Sequence, residues 1–289
     1  MRILFQAPWA RAAAVIVAGL GTPWLAVHVY YEFSYWLPIS WAWVQALGWV
    51  LDIAFQWIIV LALVKMLGNS WHTSIVGTGK WLDPSSMTKV FALLVLTGLS
   101  LDYLWQLPWF AIHPEKLAAL SEPNSISFSD EEAVEAGPAI LTTLLVLSAG
   151  PIVEEIFYRS LLLPSLMAMM SVGWSIAVSS ILFGLYHLND PLAASFFCAV
   201  LSFVYLRTGS LFSCIAIHIA YNLLQALLEL LTLTFPDSWY RGYDLFRSEA
   251  WWLHGTILVV STALLFNLAR LRTYQSPPPP DRESSSGAL

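Results

Sequence analysis

The sequence predicts an all-α fold, a polytopic membrane bundle of about eight transmembrane helices. Three observations carry that expectation. Of 289 residues, 58% are hydrophobic and only 11% are charged. The mean hydropathy is +0.67. The apolar residues also gather into long runs separated by polar stretches. A soluble domain carries roughly twice this share of charge, and neither a disordered chain nor a collagen has this composition. The net charge of −6 sits mostly in the loops, so nothing in it points to nucleic acid. Cys198 and Cys214 both lie inside apolar runs. They read as small buried hydrophobes, since one such pair builds neither a disulfide framework nor a thiolate metal site.

A helix needs about 20 apolar residues to cross the hydrocarbon. The runs that supply them are 12–31, 42–67, 88–107, 139–163, 173–189, 191–206, 211–234 and 251–271. The first follows Arg2 and Arg11, as the apolar part of a signal peptide would, but stays apolar through Val29–Tyr30–Tyr31. That is too long for a cleaved segment, so a retained anchor is expected. The third and fourth spans are separated by 108–138, the longest polar loop, with Pro108, Pro114, Pro123, Gly137 and six acids. Only Asn189–Asp190–Pro191 separates the fifth from the sixth, which predicts a tight hairpin. After Gln275, four consecutive prolines and Ser284–Ser286 mark a disordered tail. The chain therefore divides into 1–138 (three spans and an outer loop), 139–234 (a helical core), 235–274 (outer loop and eighth span) and the tail 275–289.

Loop charges set the orientation. With the N-terminus inside, the inner segments hold Arg2, Arg11, Lys65, Lys80, Lys89, Arg207, Arg270, Arg272 and Arg282. The outer ones hold Lys116, Arg241 and Arg247, and Arg159 falls within a span. Nine against three obeys the positive-inside rule, and an even number of spans returns the C-terminus to the cytoplasm. An inner (plasma) membrane protein is expected, with the lipid bilayer as its surroundings. The 15 tryptophans, clustered at Trp36–Trp43 and Trp251–Trp252, fit interfacial belts.

Ionisable groups inside a bilayer cost about 2.5–3.5 kcal/mol each and face a cavity or a partner. Three spans carry them. The fourth holds Glu154–Glu155–Ile156–Phe157–Tyr158–Arg159, the fifth Phe183–Gly184–Leu185–Tyr186–His187, and the seventh His218–Ile219–Ala220–Tyr221–Asn222. Glu155 and Arg159 are four apart and share a helix face, so they can pair. Glu154 is off that face, and a carboxylate without its own cation in a cavity suits a general base. Phe183 and His187 share a face, as do His218 and Asn222, whose stripe runs on through Gln225 and Glu229. Taken singly, each motif has a structural reading: an ion-pair lock, a packed histidine, a chance spacing. Together they ask for three structural explanations or one catalytic cavity. Asp52 and Asp102 are expected to cap or line helix ends. His28, His72, His113 and His254 are expected near the interfaces without a role.

Glu–Glu–x–x–x–Arg, then Phe–x–x–x–His, then His–x–x–x–Asn, in that order on successive membrane helices, resembles the CPBP family of CAAX-protease and bacteriocin-processing intramembrane endopeptidases. The motifs run from Glu154 to Asn222. The resemblance implies an eight-helix bundle that hydrolyses a peptide bond of a membrane-associated protein or peptide. It implies that Glu154 and His187 hold and activate a water, Glu155 with Arg159 braces the first helix of the site, and His218 and Asn222 stabilise the oxyanion. Phe183 would orient the His187 ring. Acyl transfer needs these parts: a base, a water, and donors aimed at developing charge.

Other chemistries are tested by their own motifs. No His–Glu–x–x–His and no Gly–x–Ser–x–Gly occurs, and neither cysteine neighbours a buried histidine in sequence. Within this site the favoured reading is a glutamic-type enzyme without a cofactor. The alternative is a metallo-endopeptidase with Glu154, His187 and His218 as zinc ligands and an open fourth position. Sortase-like transfer to an amine would use the same acyl chemistry. The reading from another class is a transporter, or a non-catalytic immunity or binding protein, using the same buried groups. Inverted repeats would favour the transporter, and the sequence has none evident.

Depth poses a conflict. At 1.5 Å per residue, Glu154 lies about 14 Å and His218 about 11 Å from the inner ends of their spans, but His187 comes out at about 21 Å. One site requires the fifth helix to be displaced or tilted, its start deeper in the cytoplasm among Pro164–Ser171.

Overall fold

The computed structural model describes residues 7, 9–10, 12–17, 40–67, 79, 81–112, 136–187, 190–234 and 251–270. The rest of the first span, the bulk of the 108–138 loop, His28, His72, His113 and the tail lie outside the described residues. All regular structure among the described residues is helical. That is the expected outcome in lipid, where every backbone N–H and C=O must find its partner within the chain.

Residues 12–17 are helical, within the first expected span. Seven helices follow: α1 (Trp41–Leu67), α2 (Pro84–Ile112), α3 (136–167), α4 (Val172–Tyr186), α5 (Pro191–Thr208), α6 (Leu211–Thr234) and α7 (Trp251–Arg270). Five of them, α1, α2, α3, α5 and α6, are long and apolar enough to cross a membrane; α4 and α7 hold shorter apolar stretches. The chain is an all-α membrane bundle. α3 is its hub, packed by α1, α4 and α6, while α5 lies against α4, α2 and α6, and α7 rests on α2. The core they share includes Val153, Ile156, Leu161 and Leu162 of α3, Phe183 of α4, Cys198 and Leu201 of α5, and Cys214 and Ile217 of α6.

The α4–α5 hairpin is as tight as expected. Asp190 caps α5, its Oδ1 accepting the Ala193 N–H at 3.2 Å, and Pro191 opens the helix where no N–H is needed. Gly209 ends α5 in the left-handed region at φ 64°. Between α4 and α5 a Cβ on Gly184 would collide with Ser195 Oγ and the Pro191 carbonyl. Backbone cannot step aside as a side-chain tip can, so Gly184→Ala is expected to destabilise by about 1–3 kcal/mol. A thermal midpoint in detergent equal to that of the parent protein would show that the two helices can separate freely.

α3 is not a uniform helix. Two widened, π-type turns, Leu145–Ala149 and Ile156–Leu162, flank the segment Gly150–Glu155. In the first the Gly150 N–H reaches back to the Leu145 carbonyl, and in the second the Leu163 N–H reaches Tyr158. Each is followed, after one intervening residue, by a proline, Pro151 or Pro164. A proline has no N–H and crowds the carbonyl one turn back, and widening the turn relieves both problems.

The α3–α4 turn brings the counts for Glu154 and His187 together. α3 runs to Met167 rather than stopping near 163, because Leu163–Met167 continues the helix past Pro164. Glu154 thus stands 13 residues from the inner end of α3, about 20 Å, and His187 stands 15 residues from Val172, about 22 Å. Only α3 is longer than expected at this end, by four residues; α4 begins at Val172, within one residue of the expected 173 and not among Pro164–Ser171, and His218, seven residues from Leu211, stays at about 11 Å by the same count. α2 is likewise longer than the expected 88–107.

Candidate active site

The site is assembled on α3, α4 and α6. Glu155 and Arg159 are both fully buried, with Arg159 Nε 3.0 Å from Glu155 Oε2. The pair that the four-residue spacing anticipates is therefore formed, as an ion pair rather than an aligned hydrogen bond, since neither atom has a hydrogen-bond partner. Arg159 Nη2 donates to the Cys198 carbonyl of α5 at 3.3 Å. Its guanidinium carbon lies 5.8 Å from the Phe183 ring centre and 5.9 Å from that of Tyr158, so aromatic faces take up part of the charge.

His218 joins the two acids. Its Nδ1 is 2.8 Å from Glu155 Oε1 and its Nε2 is 3.8 Å from Glu154 Oε2. A carboxylate accepts, so Nδ1 carries the proton toward Glu155 and Nε2 faces Glu154. The 3.8 Å separation is too long for a direct hydrogen bond. A water lying beside the gap can reach both atoms. Glu154 is the less enclosed acid, its side chain 15% exposed against 0% for Glu155.

His187 is set by the end of α4. The helix stops at Tyr186, and the His187 N–H turns back to Gly184, which leaves the Phe183 carbonyl for the His187 ring at 2.9 Å from Nδ1. A carbonyl can only accept, so this ring also donates from Nδ1, which leaves Nε2 as its acceptor nitrogen. Phe183 stacks on His187 with centroids 4.3 Å apart and stands 6.2 Å from His218 edge to face, so one ring separates the two histidines.

Asn222 is engaged in a way the sequence does not suggest. Its Nδ2 donates at 3.1 Å to the carbonyl of Val146, in the first widened turn of α3. The residue five ahead of Val146 is Pro151, which has no N–H, and the Gly150 N–H is already spent on Leu145. The Val146 carbonyl is therefore orphaned by Pro151 and satisfied from α6. Asn222 keeps a second N–H and its carbonyl for other work.

Asp52 corrects an expectation. It does not cap α1 but sits in its interior, where its Oδ2 accepts from the Tyr186 hydroxyl and from Gln56 Nε2, both at 2.9 Å. Gln56 Nε2 also lies 2.9 Å from the Tyr186 hydroxyl. The signal was available as Asp–x–x–x–Gln in an apolar run, one helical face with two polar groups that lipid would not tolerate. His254 is one turn into α7, buried and stacked on Tyr103 at 4.1 Å. Both cysteines are buried and free, and each thiol lies near a carbonyl, Cys198 at 3.8 Å from Ser179 and Cys214 at 3.5 Å from Leu201.

Metal ligation asks for three or more donors around one point. Among the described residues no three His, Cys, Asp or Glu side chains form such a group. No step below passes through a metal.

Residues 136–224 match the family described as Type II CAAX prenyl endopeptidase Rce1-like. This segment is similar to Rce1-like domains, in line with the resemblance to the CPBP family. The match covers less than a third of the chain, from the start of α3 into α6, and holds all of Glu154, Glu155, Arg159, Phe183, His187, His218 and Asn222. It supports a peptidase that works within the membrane. No curated protein and no solved structure matches the chain significantly. The Rce1-like segment leaves α1, α2 and α7 outside its bounds, so Asp52 and Gln56 reach it from beyond the matched residues.

Proposed function

We propose that this protein is an intramembrane endopeptidase of the glutamic type, in which Glu154 is the general base. The observation that carries the reading is the position of His218 between both carboxylates. Glu154, Glu155 and Arg159 together leave one uncompensated negative charge, which a low-dielectric site resists. One proton on either Glu154 or His218 restores neutrality. In the state with the proton on His218, Glu154 is ionised and able to take a proton from water. The same state makes His218 an imidazolium, with both ring nitrogens as donors. A ready base and a charged oxyanion donor are thus one protonation state of one cluster.

The reaction follows from these groups. A water held by Glu154 and His187 Nε2 gives its proton to Glu154 as its oxygen attacks the scissile carbonyl. The oxyanion takes hydrogen bonds from His218 and from the remaining N–H of Asn222. Glu154 then returns the proton to the leaving amine as the C–N bond breaks, and Glu155 with Arg159 holds His218 in place. The substrate is a membrane-associated protein or peptide, in keeping with the description of the matched family. The test compares the termini of the membrane proteome with and without Glu154→Gln. Peptide bonds cut only in the presence of Glu154 support the reading, and identical termini overturn it.

Two further expectations belong to this reading. Because the base, the water site and the donors are complete without a metal, turnover should survive strong zinc chelation. Loss of activity on chelation, restored by stoichiometric zinc, would require a metal mechanism. The charge asymmetry of the loops favours an inner-membrane protein with both termini cytoplasmic. Ser129→Cys should then react with a membrane-impermeant thiol reagent from outside only, and labelling from the cytoplasm alone would reverse the topology.

A further inference from the structure

We infer that Asp52 is a positioning residue for His187, acting through Tyr186 from a helix that lies outside the Rce1-like segment. α4 ends at Tyr186, and the His187 backbone, at φ −105° and ψ 64°, has left the helix. Among the described residues its ring is set by the Phe183 carbonyl at Nδ1, the Phe183 face, and the edge of Tyr186 at 5.2 Å and 71°. The Tyr186 ring in turn is held at its far end. Its hydroxyl donates to Asp52 Oδ2, Gln56 lies within hydrogen-bonding distance of both, and the three contacts, each 2.9 Å, close a ring. Asp52 and Gln56 are four apart on α1, so one face of α1 supplies the whole anchor.

A carboxylate is an expensive anchor here. It lies where hydrocarbon surrounds the bundle, and its Oδ1 is buried without a hydrogen-bond partner among the described residues. A neutral acceptor would hold a tyrosine hydroxyl at less cost. The acid is accounted for if the Tyr186 ring must be held tightly, because hydrogen bonds to an ionised acceptor are about twice as strong as neutral ones. Removing it leaves the Tyr186 hydroxyl to seek another partner, and the ring edge that fixes His187 moves with it.

The inference rests on the proposed function, and its test separates the two. Asp52→Ala, Tyr186→Phe, the double variant and Asp52→Asn are assayed on a peptide spanning a bond whose cleavage depends on Glu154. Each of the first two is expected to lower kcat by about tenfold or more with KM changed less than about threefold. Thermal midpoint and the monodisperse yield in detergent should stay near those of the parent. The double variant should be no slower than the worse single variant, since both break one chain of contacts. Asp52→Asn keeps an acceptor oxygen but loses the charge-assisted bond, so its turnover should lie between those of Asp52→Ala and the parent, and turnover no better than that of Asp52→Ala would overturn the inference. Turnover at the parent level in Asp52→Ala, additive losses in the double variant, or losses that only follow the amount of folded protein would each overturn the inference. If Asp52→Ala does not fold, Tyr186→Phe decides alone, since a parent-level kcat there removes the link. If no bond depends on Glu154, the proposed function fails and this inference with it. If Glu154→Gln is inactive while Asp52→Ala and Tyr186→Phe are not, only the inference fails.

Discussion

Glu154→Gln is expected to lower turnover by about 10²–10⁴-fold, the contribution of a positioned general base, while the protein folds as before. The two halves of that expectation come from the same geometry. Among the described residues Glu154 makes no hydrogen bond within the cluster, only the 3.8 Å approach to His218, so the amide strands no partner. In that variant Glu155 and Arg159 neutralise each other and His218 can remain neutral, so no buried charge is left over. Glutamine is near in shape but cannot accept a proton from water, so the chemical step loses its base. Glu155→Gln should behave in the opposite way: it weakens both the Arg159 and the His218 contacts and should reduce the folded fraction before it touches the chemistry. Kinetics on purified protein, with thermal midpoints measured alongside, check both. An active Glu154→Gln beside a folded, inactive Glu155→Gln would exchange the two roles.

Much of this site is legible in the residues. Composition and apolar run length are enough for an all-α membrane bundle, because lipid leaves the backbone little choice. The Glu155–Arg159 pairing follows from a four-residue spacing and two charges that cannot stand alone in hydrocarbon. Other features escape because they depend on contacts between helices. Nothing local says that His218 lies between Glu154 and Glu155, since that requires the α3–α6 packing. From spacing alone Asn222 is a donor for substrate. Its bond to Val146 becomes readable only once Pro151 is seen to widen the turn and strand a carbonyl. Asp52 is misplaced by sequence reasoning because a single acid in an apolar run more often marks a helix end, and its partner Tyr186 lies 134 residues away. Part of the depth conflict has a local cause: α3 continues through Pro164 to Met167, past the expected end at 163.

Arg159→Ala is the substitution expected to cost the most stability, about 3–5 kcal/mol, the usual result of removing one partner from a buried ion pair. Arg159 is fully enclosed, and its removal takes three supports at once: the counter-charge of Glu155, the bond to the Cys198 carbonyl of α5, and the packing against Phe183 and Tyr158. Glu155 then keeps only His218, so the cluster carries two carboxylates against at most one positive charge. Water cannot relieve this easily, because Glu155 has no exposed surface. The folded yield in detergent and the thermal midpoint should both fall, and any protein that does fold should have a disturbed His218 as well. Adding Glu155→Gln to Arg159→Ala removes the stranded charge and should recover part of the loss, which a purely steric account of Arg159 does not predict. If Arg159→Ala folds and melts like the parent, the ion pair does not brace α3. If the double variant is worse than Arg159→Ala alone, the cost lies in lost packing against Phe183 and Tyr158 rather than in the uncompensated charge of Glu155.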